Sequence, residues 1–147
     1  MKNSVALLFL MPTLLVAVPA RQASEADERA SIERAALDYI EAIYEGRPEL
    51  IRRSVHPDVV KVGYSRRDEE DIPIRPMSFE KLLGLASEWS TENDVPADAL
   101  KDVTVLDRFH DIATVRLTAS WGVDYMMLAR SAGRWKIIQV LYQSNPK

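Results

Sequence analysis

Apolar and polar residues alternate strictly along Ile112-Ala-Thr-Val-Arg-Leu-Thr-Ala-Ser-Trp121. A period of two marks a strand with one packed face and one wetter face. It puts Ala113, Val115, Leu117, Ala119 and Trp121 on the packed side and Thr114, Arg116, Thr118 and Ser120 on the other. Val103–Leu106, Val123–Arg130 and Trp135–Tyr142 read as further strands, with tight connections at Phe109–Asp111 and Ser131–Gly133. Gly122 interrupts what is otherwise one very long strand, which suits a bend or bulge. A register shift at that glycine exchanges the faces of Asp124 and Tyr125, and the pattern alone leaves both arrangements open.

Upstream the period lengthens. Ile32, Ala35, Ala36, Tyr39, Ile40, Ile43 and Tyr44 form one apolar stripe of an amphipathic helix. Ser24-Glu-Ala-Asp27 has the form of its N-cap, and Gly46 is its natural stop. Pro48 opens a second, short helix whose inner face is Leu50, Ile51, Ser54 and Val55, and His56-Pro57 ends it. Val59–Tyr64 is a strand rich in β-branched residues. Ser65–Asp71 reads as a charged loop, and Ile72-Pro-Ile-Arg-Pro76 as an extended piece whose prolines forbid a central strand. Ser78 caps a third helix with Phe79, Leu82, Leu83, Ala86 and Trp89 on one stripe, followed by a polar loop over Ser90–Ala99. The class is α+β: a cone-shaped, curved antiparallel sheet covered by three helices from the N-terminal half.

The first residues follow other rules. Met1-Lys2-Asn3 is a short positive start, Val5–Val18 is almost wholly apolar, Val18-Pro-Ala20 is small, and charge begins at Arg21. That is the plan of a secretory signal peptide. The apolar run is shorter than the roughly 20 residues that span a bilayer, so no stable membrane span is expected after cleavage, and retention as an anchor is the alternative. The chain then divides into a signal peptide (1–20), a polar lead-in (21–30) and one folded domain (31–147), exported to the periplasm or the medium. With 0 Cys, the exported domain relies on core packing alone.

A net charge of -3 without a basic stripe excludes a nucleic-acid partner. The 2 histidines are far apart, so no metal site and no cofactor is expected. His56 is either a general base, ordered by Asp58 two residues on, or a donor to the carbonyls at a helix end. His110 sits in a turn. Asp124 becomes a candidate acid if it faces an apolar interior. Tyr39, Tyr64, Trp89, Trp121, Tyr125 and Trp135 lie on elements that converge, as the wall of a pocket for a flat, partly apolar ligand or as ordinary core. Tyr39, Tyr64, Trp89, Trp121 and Tyr125 are the candidate ligand contacts.

Three phrases carry a family resemblance: Tyr39-Ile-Glu-Ala-Ile-Tyr-Glu-Gly46, Val55-His-Pro-Asp58 and Leu128-Ala-Arg-Ser-Ala-Gly-Arg-Trp-Lys-Ile-Ile138. The chain from Ile32 to Tyr142 resembles the nuclear transport factor 2-like superfamily, and within it the "putative lumazine-binding" and SnoaL-like branches. The resemblance implies a conical fold, a pocket between helices and sheet, and a homodimer formed through the sheet. It does not imply one activity. By the same resemblance Tyr39 lies where the ketosteroid isomerases carry their tyrosine, while their carboxylate base falls near Gly63 or Tyr64, neither of which can take a proton from carbon. The readings in play are a small-molecule-binding domain, a SnoaL-like or dehydratase- or isomerase-like enzyme using His56, Asp58, Asp124 and Tyr39, and a dimeric interaction module without ligand.

Overall fold

The computed structural model describes residues 24–145 apart from 68–69 and 74–75. Helix α1 (Glu25–Glu45) is followed by α2 (Pro48–Ser54), β1 (Val55–Arg67), β2 (Glu70–Pro73), α3 (Phe79–Glu92), β3 (Lys101–Phe109), β4 (Ile112–Ala119), β5 (Gly122–Ser131) and β6 (Arg134–Ser144). The strands form one sheet in the order β2-β1-β6-β5-β4-β3. All neighbouring pairs are antiparallel except β1 and β6, which run parallel. The predicted α+β class and the three covering helices are present.

Helix α1 starts before its apolar stripe because its N-terminus is doubly capped. Ser24 Oγ accepts the Asp27 N–H at 3.1 Å, and the Asp27 carboxylate accepts the Ser24 N–H at 3.2 Å. Those bonds hold the exposed Asp27 carboxyl below its ordinary range. Gly46 ends the helix at φ 67, in the left-handed region. Asp38, buried on α1, receives Arg34 at 2.8 Å and both guanidinium arms of Arg53 at 2.6 Å, which ties α2 to α1.

Strand β1 is longer than Val59–Tyr64. It begins at Val55, directly after α2, and runs through Arg67 into an antiparallel pairing with β2. A hairpin therefore replaces the expected loop over Ser65–Asp71. Backbone pairing of Tyr64 with Pro73 and Arg67 with Glu70 makes it, and neither depends on apolar side chains. The proline-bearing β2 takes the sheet edge, where a missing N–H removes no ladder bond.

The expected faces of β4 hold: Ala113, Val115, Leu117 and Ala119 are buried against the helices. Gly122 starts a new strand rather than bending an old one, since Ala119 pairs with Gly122 across a two-residue turn. Its φ is 144, and a Cβ there would lie 2.0 Å from the Gln143 carbonyl oxygen, so only glycine fits. Tyr44 on α1 pins this turn: its hydroxyl donates to the Leu100 carbonyl at 2.9 Å and accepts the Ser120 N–H at 2.8 Å.

Candidate functional site

The regular β4–β5 ladder decides the face of Asp124. Gly122, Asp124, Met126 and Leu128 point inward, and the β5 irregularity falls at Met127/Leu128 on the β6 side, not at Gly122. Asp124 is wholly buried. On β1 the inward positions are Val59, Lys61 and Gly63. A Cβ on Gly63 would sit 2.0 Å from the Tyr142 ring, so the glycine makes room for that ring. Lys61 is 4% exposed. Its backbone is held between β6, opposite Val140, and an isolated bridge to Met77.

These strands bring one polar network into an apolar interior. Lys61 Nζ donates to Asp124 Oδ2 at 3.3 Å and to the Tyr39 hydroxyl. Tyr39 donates to the same Oδ2 at 3.0 Å, and Trp121 Nε1 donates to Oδ1 at 2.9 Å. Both carboxylate oxygens are thereby satisfied, as burial requires. The ammonium also stands over three rings: Tyr142 at 4.6 Å, Tyr39 at 5.1 Å and Trp121 at 5.7 Å from their centroids. Burial lowers the Lys61 pKa from its ordinary value, and Asp124 opposes that shift. Burial, then the nearby Asp124 charge, raises the Tyr39 phenol well above its usual value, and the same two causes raise Tyr142.

A cavity of about 220 Å³ opens beside this network, walled by Ile43, Met77, Leu85, Trp89 and Trp121, with Lys61, Tyr142 and Ser144 as its polar contributors. The walls are fixed by edge-to-face ring contacts, Tyr44 to Trp121 at 5.5 Å and Trp121 to Trp89 at 5.7 Å. An apolar cavity of about 150 Å³ already holds a benzene, so this one suits a substituted ring or a small fused pair. An ammonium has three N–H donors. Tyr39 and Asp124 take two here, which leaves one for an acceptor in the cavity.

A wider groove of about 670 Å³ runs between α1 and the β5–β6 turn. Its Arg34, Arg53 and Arg130 are already engaged by Asp38, Glu41, Glu28 and Asp111, so they have little unmet charge to offer a ligand.

Of the residues singled out in the sequence, Tyr39, Trp89, Trp121 and Asp124 converge on this cavity or on the network behind it. Tyr125 does not. It points to the outer face of the sheet and is 52% exposed, because the ladder puts Asp124 inside. Tyr64 also falls outside the cavity wall, one residue beyond the inward-facing Gly63. His56 and Asp58 form a local turn at the start of β1, where the Asp58 N–H donates to His56 Nδ1 at 3.2 Å, and neither lines the cavity. Lys61, the central group, was not singled out. The signal that could have found it is its spacing: Val59, Lys61 and Gly63 share one face of a strand.

A curved sheet closed over by three helices is the nuclear transport factor 2-like fold. Solved structures agree. A nuclear transport factor 2-like protein of unknown function from Silicibacter pomeroyi matches with TM-score 0.66 at 16% identity, over 81% of this chain and 97% of that one. A similar protein from Shewanella baltica gives 0.64 at 13%, over 86% and 100%. A ketosteroid isomerase-like protein from Erwinia carotovora atroseptica gives 0.56 at 19%, over 82% and 98%. At these identities the likeness is one of fold. No curated protein matches the chain. The family described as "Putative lumazine-binding" matches residues 27–143, and the chain belongs to it.

Proposed function

We propose that this is an exported binding domain for a small, flat, partly apolar molecule, held between α3 and the inner face of the sheet with an acceptor edge toward Lys61. The observation that carries the reading is the Lys61 ammonium at the inner end of a cavity walled by Trp89, Trp121 and Tyr142. A ring between these aromatics gains apolar contact, while a carbonyl or carboxylate oxygen takes the remaining Lys61 N–H. The family description, which speaks of lumazine, agrees with a planar heterocycle bearing carbonyl groups.

The test is a thermal-shift and calorimetric screen of the purified chain with flat carbonyl heterocycles, lumazine among them, and with simple aryl carboxylates. A ligand at about 100 times its Kd raises stability by about 2.7 kcal/mol. Lys61→Met is expected to abolish the shift. A screen without any stabilising compound defeats the reading. Export is tested by expressing the full chain and sequencing the N-terminus of the mature product; cleavage after Ala20 is the expected result.

A turnover reading through enolate chemistry has less support. Tyr39 and Asp124 are in contact, but Lys61 already pairs with the carboxylate, and the base implied by the resemblance falls at Gly63 or Tyr64, which cannot take a proton from carbon. We further propose that a second copy packs on the outer face of the sheet. Leu106, Tyr125, Met127 and Leu141 are each about half exposed there, around a shallow groove of about 370 Å³. Arg116 Nε, on the same face of β4, is buried without an acceptor. An exposed apolar patch of this kind is characteristic of an isologous interface. Light scattering should report a dimer, and Met127→Glu a monomer; a wild-type monomer at high concentration overturns the proposal.

A further inference from the structure

Lys61 is the amine in the cavity wall, and we infer that it captures a ligand carbonyl as an imine, with Asp124 carrying the proton. The inference rests on the proposed occupancy of the cavity and goes beyond it by naming an aldehyde or ketone as the ligand class. Three features of the geometry support it. The amine is desolvated among rings, an environment that activates lysine as a nucleophile. A carboxylate lies 3.3 Å from Nζ and can accept its proton. The rest of the wall is Ile43, Met77, Leu85, Trp89 and Trp121, an apolar surface that seats an aryl carbonyl against the amine.

The step balances within these residues. The Lys61 ammonium gives a proton to Asp124 Oδ2, leaving a neutral amine and a carboxylic acid. The amine lone pair forms a C–N bond to the carbonyl carbon, the π pair moves to oxygen, and one N–H proton follows it, giving a neutral carbinolamine. The Asp124 acid then protonates the hydroxyl, the C–O bond breaks, and water leaves. An iminium on Lys61 remains beside the regenerated carboxylate. Charge is the same before and after: one cation and one anion, still paired. Tyr39, hydrogen-bonded to both groups, is a positioning residue that holds amine and carboxylate together.

The probe is 2-hydroxybenzaldehyde, a single substituted ring, with cyanoborohydride at near-neutral pH on the purified full chain. Intact mass and peptide mapping locate the reduced adduct. A single adduct is expected at Lys61, forming at least about ten-fold faster than at the exposed Lys81 and Lys101. Asp124→Asn, with folding checked by circular dichroism, should slow Lys61 labelling about ten- to hundred-fold. Tyr39→Phe should shift the pH dependence of labelling while leaving its end point intact. 2-Hydroxybenzoate, which cannot form an imine, runs in parallel in a thermal-shift assay. Adducts on surface lysines only, with stabilisation by the benzoate, overturn the imine and leave the non-covalent reading standing. No Lys61 adduct and no stabilisation by the benzoate or by any screened heterocycle overturn both.

Discussion

Removing both partners of the Lys61–Asp124 pair should cost no more than removing either one alone. Lys61 is 4% exposed and Asp124 0%, so neither charge can be rehydrated without opening the fold. Breaking a buried pair from one side costs about 3–5 kcal/mol, because the other charge is left uncompensated. Lys61→Met keeps an unbranched side chain of similar length and leaves Asp124 with two donors, the Tyr39 hydroxyl at 3.0 Å and Trp121 Nε1 at 2.9 Å. Its cost therefore belongs at the low end, about 3 kcal/mol. Asp124→Asn can still accept from Trp121, but its amide nitrogen then faces the Lys61 ammonium, again at about 3 kcal/mol or more. The double variant removes both charges and keeps the Trp121 bond; about 3 kcal/mol in total is expected. The coupling energy is then about 3 kcal/mol, the magnitude expected for groups in one contact network.

The assay is urea unfolding of the four proteins, followed by circular dichroism and by Trp fluorescence, since Trp89 and Trp121 lie at the site. A domain stable by about 5–15 kcal/mol can lose about 3 and still give a complete transition. Single variants that each cost under about 1 kcal/mol and add in the double would refute the reasoning, because Lys61 would then be solvated rather than held by Asp124.

The pH dependence has two limbs. The Lys61 pKa is depressed by burial, so just below 10.5 the folded chain binds fewer protons than the unfolded chain and stability rises with pH. Tyr39 and Tyr142 are raised above 10.0, so beyond that point the folded chain keeps protons the unfolded chain loses and stability falls. Urea midpoints against pH should show both limbs, with the rising one absent in Lys61→Met. Phenolate absorbance on the native chain should show Tyr39 ionising only as the fold opens. Gly63→Ala should push the Tyr142 ring, 2.0 Å from the new Cβ, out of its place and cut ligand affinity about ten-fold or more at a stability cost of about 1–3 kcal/mol, read by calorimetry and urea unfolding. Gly122→Ala meets backbone instead, the Gln143 carbonyl at 2.0 Å with φ 144, and should cost about 3 kcal/mol or more with a visibly lower Tm.

Most of the fold was readable because periodicity and caps agree. The α1 stripe, the Ser24 and Ser78 caps, the Gly46 stop and the β4 alternation all point to the structure that forms. The β1–β2 hairpin was not, because its charged residues carry no alternation and its pairing is made by backbone groups. Asp124 depended on register, which is set by pairing with β4 rather than by its own sequence. Lys61 was hidden for a different reason. In Val59–Tyr64 both faces carry valine, and Val60, Val62 and Tyr64 make the more apolar set, yet Val59, Lys61 and Gly63 turn inward. What reverses the expectation is non-local: the Asp124 carboxylate meets the amine, and the Tyr142 ring needs the space at Gly63.

The buried polar residues of the described chain are Asp38, Ser54, Lys61 and Asp124. Two have sufficient structural reasons. Asp38 gathers Arg34 and Arg53 to join two helices, and Ser54 donates to the Leu50 carbonyl at 2.9 Å within its own helix. The Lys61–Asp124 pair joins β1 to β5 deep in the cone, where aliphatic groups of the same volume would hold the strands equally well or better. Asp124 also satisfies the Tyr39 hydroxyl and Trp121 Nε1, but the ionic charge of the pair is not what stability requires. The pair's distinguishing property is that it brings an amine and a carboxylate, charged yet mutually neutral, to the wall of an aromatic cavity. An apolar replacement would keep the cone and lose the amine–carboxylate pair at the cavity wall.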